Sequence, residues 1–149
     1  MIPITFTEVV QFAITRELEA AALYGALKER AVQPASRVFL AELEEMELEH
    51  AETLRGFTPD AVKEFAPEAL DLKLSDYMEP PELTADSGYQ DVVVTAMKNE
   101  EASHKLYKAL AAEVPDGYAK EVFERLAREE ARHKEMLEEM YEKEAFREN

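Results

Sequence analysis

The feature that most constrains this chain is a repeat. Residues 11–57 and 94–140 align without a gap at an offset of 83 residues, and eleven positions are identical. They are Ala13/Ala96, Glu17/Glu100, Leu23/Leu106, Tyr24/Tyr107, Ala26/Ala109, Leu27/Leu110, Leu43/Leu126, Glu47/Glu130, His50/His133, Glu52/Glu135 and Leu54/Leu137. The apolar matches recur at helical spacing and explain themselves as buried stripes. The polar ones do not. Glu47-x-x-His50 and Glu130-x-x-His133 are i, i+3 pairs, so each pair shares one helix face. Glu17 and Glu100 sit among apolar neighbours on an inward stripe, and Tyr24 and Tyr107 follow them two turns later on the same face. Two matched halves imply pseudo-twofold symmetry, and a site on that axis receives each kind of ligand twice.

The rest of the chain supplies the helices this arrangement needs. Glu, Ala, Leu and Lys dominate, and all are strong helix formers. Thr5-x-x-Glu8 reads as a capping box opening a helix over about 6–31. A second helix runs from about Pro34 to Arg55, with Gly56 as its stop. Residues 57–86 carry Pro59, Pro67, Pro80 and Pro81 and read as a long connection with one or two short helices, the first starting at Thr58-Pro59. Ser87-x-x-Gln90 repeats the capping-box pattern and opens a third helix to about Val114. After the turn Pro115-Asp116-Gly117 a fourth helix continues to about Ala145. The expectation is one all-α domain over 1–149: a helix pair 6–56, a connection 57–86 and a helix pair 87–145.

Such a bundle puts Glu17, Glu47, Glu100, Glu130, His50 and His133 in its interior. Four buried carboxylates without compensation are very costly, because desolvation and mutual repulsion add. Two divalent cations cancel four carboxylate charges, so the arithmetic points to a dinuclear centre. One Glu from each of two helices, with Glu-x-x-His from each of the other two, is the ligand set of carboxylate-bridged dimetal bundles. Hard oxygens with two imidazoles suit iron or manganese better than copper or calcium.

At these residues the sequence resembles the ferritin-like superfamily and, within it, the rubrerythrin-like proteins. The resemblance spans about residues 6–145, and Glu129-Glu130-Ala131-Arg132-His133 looks especially like the rubrerythrin form. It implies a ferritin-like four-helix bundle with a long crossover between its second and third helices. It also implies two iron ions, with manganese or zinc as alternatives, held by Glu17, Glu47, His50, Glu100, Glu130 and His133. The implied activity is reduction of peroxide or dioxygen. Two departures stand out. Rubrerythrins carry a rubredoxin domain with a four-Cys iron site, and this chain has no Cys. The electrons are therefore expected from an external donor, such as a rubredoxin-like protein. Rubrerythrins also place a further Glu three residues after the third-helix ligand, where this chain has Ser103, matched by Ala20 in the first half. That favours the simpler six-ligand set. The alternatives are an iron-storage protein with ferroxidase chemistry and a non-catalytic metal-binding bundle.

Composition narrows the partners. With 33 acidic and 17 basic residues the net charge is −16, which argues against nucleic acid and anionic membranes while favouring approach of cations. No stretch of about 18 apolar residues is present, and the N-terminus lacks the basic segment of a signal peptide, so a cytoplasmic protein is expected. A homodimer follows from the resemblance. Tyr24 and Tyr107 are candidates to hydrogen-bond ligand carboxylates. His104 lies one turn beyond Glu100 without a repeat mate and is expected partly exposed, off the site. Glu44, Glu45, Glu49, Glu129 and Glu138 read as a solvated face from which a residue could support the ligands from behind.

Overall fold

In the computed structural model the described residues are 5–57, 72, 74–77, 83 and 87–147. Among them are four α-helices and one short 3-10 helix at Leu74–Tyr77, with no strand. The helices are α1 (Phe6–Arg30), α2 (Pro34–Arg55), α3 (Tyr89–Glu113) and α4 (Tyr118–Arg147). The all-α bundle read from the sequence is the observed architecture. No helix among the described residues is long and apolar enough to cross a membrane.

The helix ends follow local chemistry. Thr5 accepts from the Glu8 amide while the Glu8 carboxylate reaches back to the Thr5 amide, completing the capping box. Pro34 sits in the first turn of α2, where a missing N–H costs nothing. One expectation needs correction. Residue 87 does not cap α3: Gly88 is the N-cap, without a side-chain bond, and the helix starts at Tyr89. Gly56 ends α2 as expected, in the right-handed region and with its N–H bonded to Thr53 and Leu54 carbonyls. Among the described residues the left-handed glycine is instead Gly117, with φ of 148° in the turn between α3 and α4. The short helix expected at Thr58-Pro59 lies outside the described residues.

Two apolar clusters divide the bundle lengthwise. One gathers Phe6, Val9, Val10 and Ala13 of α1 with Leu54, Phe57, Leu106, Leu110 and Phe123. The other gathers Tyr24 and Leu27 with Leu40, Leu43, Val92, Val93 and Leu137. Chain order through the clusters gives the topology. α1 and α4 run from the first cluster to the second, and α2 and α3 run back. Because α2 and α3 point the same way, the chain must travel the length of the bundle between them. A helix of 22 residues is about 33 Å long, which is why this connection is the long one. Leu72, Leu74 and Tyr77 pack on the first cluster and Leu83 on the second, marking its course. α1 packs chiefly on α2 and α3 on α4, and the pairs join mainly through α1 against α3.

Candidate metal centre

Between the two apolar clusters every helix contributes polar side chains. Glu17 on α1, Glu47 and His50 on α2, Glu100 on α3, and Glu130 and His133 on α4 are all buried. The i, i+3 spacing turns Glu47 with His50, and Glu130 with His133, toward the bundle axis. The six residues read from the sequence are thus brought together. They form two overlapping groups, Glu17–Glu47–His50–Glu130 and Glu47–Glu100–Glu130–His133. In each, one ligand atom per residue lies within 4.8 Å of the others. Glu47 and Glu130 belong to both groups, as residues bridging two cations would.

The geometry obeys the repeat. His50 Nδ1 lies 2.8 Å from Glu130 Oε1, and His133 Nδ1 lies 2.9 Å from Glu47 Oε1. His50 Nδ1 is also 3.4 Å from Glu17 and 3.7 Å from Glu47; His133 Nδ1 is 3.8 Å from Glu100 and 3.6 Å from Glu130. The two imidazoles are nearly parallel, 14° apart, with centroids 5.9 Å apart. Tyr107 donates to Glu17 Oε1 at 2.5 Å, and Tyr24 donates to Glu100 in the mirrored contact. Each tyrosine therefore holds the glutamate of the other helix pair, as expected of residues supporting ligands.

The protons are shared unevenly. Burial disfavours a charged imidazole, but hydrogen bonds and negative charge from Glu17 and Glu47 outweigh it and push His50 up to about 11. Burial likewise opposes charge on His133, and Glu100 and Glu47 raise it to about 9. At Glu17 burial favours the neutral acid, yet the close approach of Glu47 and His50 and the bond from Tyr107 hold it down at about 2. Glu47 is pushed well above the carboxylate range by burial and by the charges of Glu100 and Glu17. Glu130 is raised by burial and by Glu100, Glu17 and Glu47. Burial and the neighbouring carboxylates also hold both tyrosines in the neutral, donating form.

The model of the rubrerythrin family matches residues 91–149, which carry most of α3 and all of α4. The remaining motif residues sit at the same register in the first helix pair. The segment 91–149 is thus similar to the rubrerythrin family. No curated protein and no solved structure matches the chain.

The residues of the cluster fit metal. Glu17 Oε2 and Glu100 Oε2 are buried without a hydrogen-bond partner, one from each half. An unpartnered buried carboxylate oxygen costs free energy unless a cation takes it up. Thiolate is absent, and the donors are hard oxygens with two imidazoles.

Two openings reach the cluster. On the α1/α3 side a cavity of about 50 Å³ is lined by Arg16, Glu19, Ala20, Glu47, Asn99, Glu100 and Ser103. Ala20 and Ser103, the small residues that stand where rubrerythrins have an extra Glu on one side, border this cavity. On the α2/α4 side a cavity of about 160 Å³ is bounded by Phe39, Leu43, Met46, Met136, His133 and Glu129.

His104 is partly exposed and bonds the Ala127 carbonyl at 2.7 Å, away from the cluster. Glu44 pairs with Lys28, and Glu138 lies 3.6 Å from Lys134. Glu129 departs from the expected solvated face. Its Oε2 lies 2.5 Å from His50 Nε2, the nitrogen turned away from the cluster. The signal was faint: an exposed-looking Glu next to a ligand, whose repeat mate is Met46.

Proposed function

We propose that the chain is a dinuclear non-haem iron oxidoreductase that reduces peroxide or dioxygen with electrons from an external donor. The observation that carries this reading is the doubled, overlapping Glu/His cluster, in which four carboxyl groups and two imidazoles meet in the buried interior. Glu17, His50, Glu100 and His133 would hold one cation or the other, and Glu47 and Glu130 would serve both. A reduced iron pair bound there would supply two electrons to the oxidant.

The protein's own part is to bind, orient and exclude. Tyr24 and Tyr107 fix the carboxylates of Glu100 and Glu17 and keep their hydroxyl protons. The apolar clusters above and below keep bulk water out. The cavity beside Ala20 and Ser103, about 50 Å³, has room for a few water-sized molecules, which suits peroxide or dioxygen. Reduction of hydrogen peroxide takes two electrons and two protons and yields two waters. In this reading the electrons come from an external donor, such as a rubredoxin-like protein in the cytoplasm; the 149 residues hold no Cys for a rubredoxin-type iron.

Stopped-flow mixing of the anaerobic ferrous protein with hydrogen peroxide, and separately with dioxygen, tests the reading. The expected result is oxidation of about two irons per peroxide, with little iron released. Oxidation only by dioxygen, with ferric iron accumulating beyond two per chain, would contradict it and point to iron storage.

A further inference from the structure

The polar contacts of the six cluster residues repeat under the 83-residue shift with one exception among the described residues. His50 Nε2 meets Glu129 Oε2 at 2.5 Å, whereas His133 Nε2 is buried with no partner. The position matching Glu129 in the first half is Met46. It lines the cavity beside His133 with Phe39, Leu43 and Met136, so an apolar thioether stands where symmetry would place a carboxylate.

We propose that Glu129 makes the two halves of the centre unequal, so that a cation held by Glu17, Glu47, His50 and Glu130 binds first and more tightly than one held by Glu47, Glu100, Glu130 and His133. This rests on the dimetal reading above. A carboxylate accepting the Nε2–H of a ligating imidazole fixes its tautomer, turns the Nδ1 lone pair toward the metal and strengthens it as a donor. Removal of such partners typically costs about 10- to 100-fold in metal affinity. The Glu129 side chain is 35% exposed and lies 3.9 Å from Arg125, so screening places the effect near the lower end, about tenfold. His133 has no equivalent support. Glu129 is thus a positioning residue that acts through His50, and it gives a symmetric ligand set an order of filling.

The test uses the full chain and cobalt(II) as the probe. Repulsion between two cations would separate the binding steps even in a symmetric site, so location decides. Crystals grown with one equivalent of cobalt should show the anomalous peak on the His50 side. Calorimetric titration should give two steps in the native protein. In Glu129→Met the tighter step should weaken about tenfold, while Glu129→Gln, whose amide oxygen still accepts the N–H, should retain part of the difference. In the swapped variant Met46→Glu/Glu129→Met the first cobalt should move to the His133 side. Equal occupancy of both halves, a first ion beside His133 in the native protein, or an unchanged tighter step in Glu129→Met would each overturn the inference and leave the dimetal reading standing. Fewer than two cobalt ions at saturation would overturn both.

Discussion

Tyr107 on α3 donates its hydroxyl to Glu17 on α1 at 2.5 Å, with both side chains buried. Tyr24 makes the mirrored bond to Glu100. The two bonds tie the helix pairs together at the level of the cluster. They also account for one oxygen of each glutamate while leaving the other unpartnered.

Tyr107→Phe should therefore destabilise the metal-free protein by about 1–3 kcal/mol, the usual cost of a buried acceptor left without its donor. Two cations per chain should still bind. Chemical denaturation and metal titration check the two halves of this expectation separately.

The pH dependence of the metal-free protein has a definite sign. His133 and His50 are raised to about 9 and 11 from 6.5, and Glu47 and Glu130 stand well above 4.5. Between pH 5 and 9 the folded chain thus holds more protons than the unfolded chain, and stability falls as pH rises. The contribution of the raised histidines is complete below 6.5 and is lost through about 9 for His133. Glu17, lowered to about 2, acts oppositely, but only below 4.5. Cations displace these protons, so their stabilising effect should grow with pH. Melting curves from pH 6 to 9 should show the metal-free Tm falling and the gap to the loaded protein widening.

The cavity beside Ala20 and Ser103 gives a third expectation. Ala20→Leu or Ser103→Leu should fill most of its 50 Å³ and slow oxidation of the ferrous protein by peroxide at least tenfold, about 1.4 kcal/mol in the barrier. Iron stoichiometry should stay the same. Stopped-flow traces with parallel iron counts measure both.

His104 provides the contrast. It bonds only the Ala127 carbonyl in the described contacts of its ring. His104→Ala should cost about 1 kcal/mol of stability and leave metal binding unchanged, as titration and denaturation of the variant would show.

Much of this was legible in the sequence for a specific reason. A gapless repeat through two helices and a turn exposes every residue that cannot be excused as core, and the remainder was the six Glu and His of the cluster with the exposed pair Glu52/Glu135. The same repeat placed the two tyrosines. The helix ends were less legible. Ser87-x-x-Gln90 has the letters of a capping box, but Gly88 takes the cap position, because the pattern does not say which residue leaves the helix. Glu129, named only as one of five acids able to support a ligand, was faint for the opposite reason. It breaks the symmetry that revealed everything else, and on an acidic helix one more Glu carries no signal until His50 is seen 2.5 Å away.

The central claim is that two cations sit among Glu17, Glu47, His50, Glu100, Glu130 and His133. An anaerobic ferrous titration of metal-free protein, counting tightly bound iron per chain, tests it most directly. The account predicts about two irons per chain, lost in Glu47→Ala/Glu130→Ala, with the folding of that variant checked by its helical signal. Little or no tight iron in the native protein, or two irons retained in the variant, would contradict it.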